Sequence, residues 1–255
     1  MTSLLPDSGL RLNSDAAHPP FTWQVALPED WALLDVNPAS WQRSLDRLID
    51  ERFEGRRLRR AQVRGLRTHL EELVVGAQRA GVLLSLVRIG LLSTGEQASA
   101  GLNLSWYDSA PVGATLALAR QAIGRQGIVE EIETDAGTLL LQRDHTVVTS
   151  PAATTRVGLT SLQAFLPLTG RTWTAVVATS SAHPEMTDLL HHLILATAGS
   201  IRPLEADTSA EPDSPDSQTP GAALEFAAVE KPDKPGIERG FGTMVLRQIP
   251  PPESR

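Results

Sequence analysis

The feature that most constrains the fold is the segment 21–34, which reads as a strand ending in a corner. Apolar residues occupy every second position from Phe21 to Leu27, so they share one face of a strand. Pro28 cannot donate a hydrogen bond to a neighbouring strand and therefore ends it. We expect the indole of Trp31, just beyond the turn, to fold back and close one end of the core. A ligand-stacking role for Trp31 is the alternative, and no nearby residue favours it.

Composition excludes several classes of protein. The chain has 255 residues, of which 41% are hydrophobic, which allows one large domain with or without a tail. It has no cysteine, so disulfides, thiol nucleophiles, thiolate metal sites and a lipid anchor on cysteine are excluded. The first residues show no signal-peptide pattern, and no apolar run approaches the roughly 18–20 residues of a membrane span. These features predict a soluble cytoplasmic protein.

Charge is distributed unevenly along the chain. Residues 204–255 contain ten acidic and five basic residues, a net charge of -5 out of -7 for the whole chain. The remaining residues 1–203 therefore carry only -2. A nucleic-acid-binding protein is usually basic, so this balance disfavours that class. Abundant arginine with almost no lysine is typical of a GC-rich, actinobacterium-like genome.

The hydrophobic pattern predicts an α+β fold with a mostly antiparallel, twisted sheet flanked by helices. Two helices are expected after the corner, the first capped by Asn37 and Pro38, and a last helix from about 184 to 201 whose buried face includes Leu189. Six further segments predict strands or a short helix. They are 82–92, 101–107, 113–124, 128–133, 138–149 and the hairpin 155–180. The predicted organisation is a flexible arm (1–19), one domain (20–203) and a disordered acidic tail (204–255).

Two short motifs resemble the PsbP-like superfamily, which includes the actinobacterial LpqN-type proteins. The first is the aromatic strand with its corner, formed by Phe21, Trp23, Pro28 and Trp31; the second is a closing strand and helix over 173–203. The resemblance implies an antiparallel sheet sandwiched by helices and a non-catalytic adaptor or binding role. The chain departs from LpqN-type lipoproteins in lacking a signal peptide and a lipid-attachment cysteine, so no binding residue is transferred.

An arginine-rich face on the second predicted helix is one candidate binding surface. It consists of Arg56, Arg60, Arg64 and Arg67. Such a face can bind phosphate, an acidic partner or the chain's own acidic tail. The alternative is a solvated helix surface, with Glu71 and Glu72 as local ion-pair partners.

An apolar segment in the tail is the second candidate. Phe241–Leu246 restores apolar content after a long polar stretch, and short apolar segments of this kind often dock on a folded surface. We assign Phe241, Met244 and Leu246 as the binding residues. The target is either a partner protein or the sheet edge of this chain, and an inert tail is the alternative.

The sequence offers few candidates for catalytic residues. The histidines lack the spacing of a metalloprotease helix, and the sequence has no nucleophile elbow and no phosphate-binding loop. Ser181 and His183 stand close together before the last helix, where a capping role is the simpler interpretation. We therefore predict a non-enzymatic protein-binding or adaptor protein, without cofactor or metal. Alternatives are a secretion-associated chaperone of the ESX type and a hydrolase using Ser181 and His183.

Overall fold

The computed structural model describes residues 12–52, 60–91, 97–123, 127–149, 156–204 and 241–246. The helices within these residues are α1 (Trp41–Arg52), α2 (Arg60–Arg79), α3 (Leu116–Ala122) and α4 (Thr187–Gly199). The first four strands are β1 (Trp23–Pro28), β2 (Ala32–Leu34), β3 (Leu84–Leu91) and β4 (Gln97–Asp108). The later strands are β5 (Ile128–Thr134), β6 (Gly137–Thr149), β7 (Arg156–Pro167), β8 (Trp173–Ser181), β9 (Arg202–Pro203) and β10 (Phe241–Leu246).

A seven-stranded antiparallel sheet forms the middle layer, in the order β2-β3-β4-β8-β7-β6-β5. Five of the six neighbouring pairs are also consecutive strands in sequence. Short described turns join β5 to β6 and β7 to β8, whereas α1 and α2 lie between β2 and β3. The α+β class with a mostly antiparallel sheet is thus confirmed. The glutamate-rich strand β5 lies at one edge, where charged side chains oppose unwanted pairing with another sheet.

One face of this sheet, the α4 face, carries the larger core. Helix α4 and a small sheet, ordered β10-β1-β9, both pack against it. Apolar side chains that alternate along the central strands meet those of β1 and α4 there. They include Trp23, Val25, Leu27, Leu84, Leu86, Leu102, Leu104, Trp106, Leu162, Leu166, Leu190 and Ile194.

The opposite face, the α2 face, is covered in two places. Helices α1 and α2 pack over β2 and β3, while α3 packs over β6 and β7. On β3, Leu86 lies in the α4-face core and Val87 in the α2-face core. A strand buried on both faces explains why apolar residues occur on both faces of β3 rather than only at alternate positions.

Several details differ from the sequence expectations. The strand at 21–27 belongs to the small sheet and not to the main one. The sequence did not indicate this, because period-two alternation identifies the apolar face of a strand but not its neighbouring strands. Leu189, predicted to be buried on the last helix, is 46% exposed. Asn13, in the predicted flexible arm, is buried and hydrogen-bonds through its side chain to the carbonyl of Val82.

Candidate protein-binding surface

Strand β1 is the central strand of the small sheet, and β10 occupies one of its edges. The pairing is antiparallel along all six residues of β1, from Trp23 opposite Leu246 to Pro28 opposite Phe241. The side chains of Trp23 and Val25 face the core and are almost fully buried, Val25 completely. This edge is therefore a strand-accepting surface on a rigid base.

The other edge of β1 is covered differently. Strand β9 pairs only with Trp23 and Gln24. Beyond that pairing, the backbone N–H of Ala26 donates to the hydroxyl of Ser200 at 2.8 Å, and that hydroxyl donates to the carbonyl of Thr197 at 2.7 Å. The end of α4 thus satisfies the β1 backbone where β9 stops, which leaves the β10 side as the edge that accepts a strand.

The structure places all three predicted tail residues in β10. Phe241 stands opposite Pro28, Met244 opposite Val25 and Leu246 opposite Trp23. Of the two targets that the sequence left open, a partner or the chain's own sheet, the segment pairs here with β1 of its own chain. The rest of the tail, 205–240 and 247–255, lies outside the described residues, as does its predicted disorder.

An aromatic cluster lies at the end of β1 where Trp23 sits. The Trp106 ring contacts three others edge-on, with centroids at 5.0 Å from Trp23, 6.4 Å from Phe21 and 6.5 Å from Trp173. The indole N–H of Trp106 is buried without a hydrogen-bond partner. An edge-to-face arrangement directs the positive edge of one ring at the negative face of another, which is a favoured geometry for aromatic pairs.

Arg171 extends this cluster towards solvent. Its guanidinium carbon lies 4.1 Å from the centroid of the Phe21 ring, which is a cation–π geometry. The backbone of Arg171 is fixed on both sides, since its N–H donates to Leu168 and its carbonyl accepts from Ala114. Among the described residues, no carboxylate forms an ion pair with Arg171, so a cation stands unpaired beside the start of β1.

The arginine-rich face is only partly described and is less uniform than its sequence suggests. Arg56 lies outside the described residues, whereas Arg60 and Arg64 are exposed on α2. Arg67 bridges two helices, with ion pairs to Glu71 on α2 at 3.0 Å and to Asp46 on α1 at 2.8 Å. The hydrogen bond to Glu71, followed by the charge of Asp46, raises the pKa of Arg67. Arg67 therefore already has carboxylate partners.

The two predicted surfaces are not brought together. Helix α2 packs on the α2 face of the main sheet, and β1 with β10 packs on the α4 face. The sheet therefore separates Arg60, Arg64 and Arg67 from Phe241, Met244 and Leu246. A single binding site that uses both sets is not formed.

The Ser181 and His183 pair does not have the geometry of a nucleophile and its base. Ser181 is 4% exposed, and its hydroxyl accepts a hydrogen bond from the backbone N–H of His183 at 3.0 Å. Its other contact is the sulfur of Met186 at 3.7 Å. A base must reach the hydroxyl through its side chain, so this arrangement is that of a turn leading into α4.

Other kinds of site find little support in the described residues. They contain no group of three or more histidine or acidic side chains placed to hold a metal ion. A cleft of about 130 Å³ beside the start of α3 is smaller than the roughly 300–1,000 Å³ typical of small-molecule pockets. None of the described helices combines the length and apolar character needed to cross a bilayer.

His69 gives the fold a pH dependence that can be measured. Its Nε2 lies 2.9 Å from the Ser99 hydroxyl, and although His69 is exposed overall, partial desolvation of the ring lowers its pKa against the opposing charge of Glu72. The folded protein therefore binds this proton less readily than the unfolded chain, whose histidines titrate near about 6.5. Stability from His69 is present above that pH and is lost as the pH falls through the lower folded pKa.

We expect His69→Gln to reduce the loss of stability on acidification. The measurement is the urea midpoint of wild type and variant at about pH 7.5 and about pH 5.5. Subtracting one difference from the other removes the contribution of carboxylates, which both proteins share. An identical drop in midpoint for the two proteins would contradict the assignment.

The comparisons with known proteins leave the family of the chain open. No protein-family model matches the sequence, and searches of curated proteins and of solved structures return no match.

Sequence reasoning missed β1 as the acceptor of the tail segment, together with the cluster of Phe21, Trp106 and Arg171. The signals for the acceptor were present as two apolar stretches, 21–27 and 241–246, each of strand length. Nothing in their spacing indicated that they pair. The cluster had no sequence signal, because its members come from segments far apart in the chain.

Proposed function

We propose that this protein is a non-enzymatic protein-binding module that accepts an extended segment of a partner as an added strand on β1. The observation that carries the proposal is the chain's own segment, which already pairs with that edge along six residues. An edge able to hold a strand from a remote part of its own chain has the backbone geometry to hold one from another protein. Strand addition of this kind is a recurrent mode of peptide recognition.

The chain's own segment must be displaced for a partner to bind. Residues 205–240 connect β9 to β10, and a tethered segment competes at an effective concentration of order mM when its linker is flexible. A partner therefore needs either higher affinity for the edge or a high local concentration. This competition keeps the edge paired when no partner is present and so limits unwanted strand addition.

The double variant Thr243→Pro, Met244→Pro should weaken the pairing of β10 with β1 and so expose the β1 edge. Backbone N–H groups of successive strand residues point to opposite sides, so one of two adjacent prolines removes a donor directed at β1. We expect the variant chain to bind a fluorescent peptide of residues 239–248, and wild type to bind it at least about tenfold more weakly. Fluorescence anisotropy measures both affinities.

Two controls make the result specific. Thr208→Pro with Ser209→Pro adds the same residues to the tail outside β10 and should behave as wild type. A peptide that carries the two prolines should not bind any of the chains. Cooperative urea unfolding of the Thr243→Pro, Met244→Pro chain would show that its domain is still folded. Absence of peptide binding to that folded variant, or equal binding to the variant and wild type, would overturn the proposal.

The PsbP-like resemblance supports the same kind of role. It implies a non-catalytic adaptor or binding protein, and the α+β architecture with helices on both faces of an antiparallel sheet is compatible with it. A secretion-associated chaperone would use the β1 edge for an extended client segment, so it differs in partner rather than in site.

A further inference from the structure

The backbone hydrogen bonds of β1 show which of its residues point towards β10. On the side away from β10, the carbonyl of Thr22 accepts from the N–H of Leu204. On that same side the N–H of Ala26 donates to the hydroxyl of Ser200. Successive strand residues direct their N–H and carbonyl groups to alternate sides, so every second residue of β1 points at β10 instead. These residues are Trp23, Val25 and Leu27.

The register then divides the residues of β10 into two sets. Those opposite Trp23, Val25 and Leu27 form the hydrogen-bonded pairs with β1, and they are Leu246, Met244 and Gly242. The outer edge of β10 consists of the N–H and carbonyl groups of the other three residues, Phe241, Thr243 and Val245. Since the end of α4 lies on the opposite side of β1, this outer edge faces away from α4. In the part of the chain that the structure describes, no strand pairs with it.

The other sheet edges have features that oppose strand addition, and β10 lacks them. Strand β5, at one edge of the main sheet, carries the exposed residues Glu130, Glu131 and Glu133. Strands β2 and β9, at two further edges, are only three and two residues long. The six residues of β10 include no charged residue and no proline. Charges, prolines and short length are the usual protection of an edge, so the outer edge of β10 is suited to pairing.

We infer that the outer edge of β10 pairs with the same edge of a second copy of this chain. Two identical strands related by a two-fold axis perpendicular to their sheet run antiparallel, so the contact closes after two copies. With the axis at Thr243, that residue faces its own equivalent, and Phe241 faces Val245 of the partner subunit. All three outward-pointing residues then form hydrogen-bonded pairs, which gives about six hydrogen bonds between the copies.

A second copy fits this edge because the pairing is self-complementary in both backbone and charge. The three outward residues are spaced symmetrically about Thr243, so each donor of one copy meets an acceptor of the other. Self-pairing of β5 would place glutamates close to glutamates, which is unfavourable. Self-pairing of the uncharged β10 brings no like charges together.

This inference goes beyond the proposed function. Self-association requires β10 to be in place on β1, as it is in the structure, whereas a partner strand requires β10 to be displaced. The two events therefore compete, because a bound partner removes the strand through which the copies pair.

Sedimentation velocity of the full-length chain tests the inference through its mass in solution. Between about 2 and about 200 μM, we expect wild type to shift from monomer towards twice the monomer mass. Thr243→Pro removes an outward N–H but no donor directed at β1, and it should raise the dissociation constant at least about tenfold. Thr243→Val keeps that N–H and should associate as wild type does.

Two charge variants test the register between the copies. Phe241→Lys with Val245→Lys places like charges opposite each other across the two-fold axis, and Phe241→Lys with Val245→Glu places opposite charges there. We expect the first variant to stay monomeric and the second to form the dimer, with a smaller difference at high salt.

Amide exchange at Met244 shows whether β10 remains on β1 in each variant, because this N–H is directed at β1. Loss of the dimer with Met244 still protected supports the inference. If Thr243→Pro releases β10, the two charge variants decide, and equal masses for them would overturn the inference. A wild type that is monomeric at the highest concentration overturns it as well. Peptide binding to the Thr243→Pro, Met244→Pro chain tests the proposed function separately from these results.

Discussion

Replacing Trp106 with alanine should cost about 3–5 kcal/mol of the free energy of unfolding. Trp106 is 5% exposed and lies between the rings of Phe21, Trp23 and Trp173, which come from the segment before β1, from β1 and from β8. Truncation leaves a cavity between the small sheet and the main sheet and removes three edge-to-face contacts. A loss of this size is a large fraction of the stability of a typical domain.

Urea unfolding followed by circular dichroism measures this loss, and two variants control it. Tyr107→Ala changes the adjacent residue of β4, which is 54% exposed, and should alter stability by about 0.5 kcal/mol or less. Trp106→Phe keeps an aromatic ring and should cost clearly less than alanine, and it remains measurable if the alanine variant does not fold. A cost for Trp106→Ala as small as that for Tyr107→Ala would contradict the central position of this ring.

Gly127→Ala should destabilise the protein by about 2–4 kcal/mol, because backbone strain and steric overlap act together. Gly127 has φ +89, a region that residues with a Cβ atom rarely adopt. A Cβ at this position would overlap the carbonyl oxygen of Arg143 and lie 3.2 Å from its carbonyl carbon. Both atoms belong to the backbone of β6, so neither can move aside without disturbing the sheet.

Gly137→Ala is the matched control for Gly127→Ala. Gly137 has φ +123 at the first position of β6, directly after the turn from β5, but a Cβ there would have nothing within 4 Å. It should therefore carry only the backbone strain, about 1–3 kcal/mol. The difference between the two variants, measured by urea unfolding, isolates the overlap with Arg143. Equal losses at both positions would show that the overlap is relieved by a small shift of β5.

Local patterns in the sequence were sufficient for most of the secondary structure. Apolar residues at helical spacing predicted the buried face of α2, where Leu66, Leu70 and Val74 are buried. The hairpin of β7 and β8 followed from two apolar runs around a turn containing Gly170. These features depend on contacts between residues close in sequence, so a local pattern is enough to reveal them.

Local sequence patterns identified only one of the two strands that form the candidate site as part of a site. The apolar character of Phe241–Leu246 marked it as a docking segment, whereas the identity of its acceptor did not follow. Similarly, Arg67 looked like one member of a uniform basic face, although its position on α2 brings it to Asp46 of α1. Which charges are already paired depends on how helices pack, and sequence spacing within a single helix does not contain that information.

The sequence by itself determined the α+β class, the apolar face of the strand at 21–27 and the apolar segment at 241–246. Only the tertiary structure decided that these two segments pair, that they form a small sheet separate from the main one, and that Arg171 lies over the ring of Phe21. The physical reason is that a strand's alternation specifies which face is buried, while its backbone hydrogen-bonding groups are the same at every residue except proline. The partner of an edge is chosen by long-range packing, here by the cores that hold β1 against α4 and the main sheet.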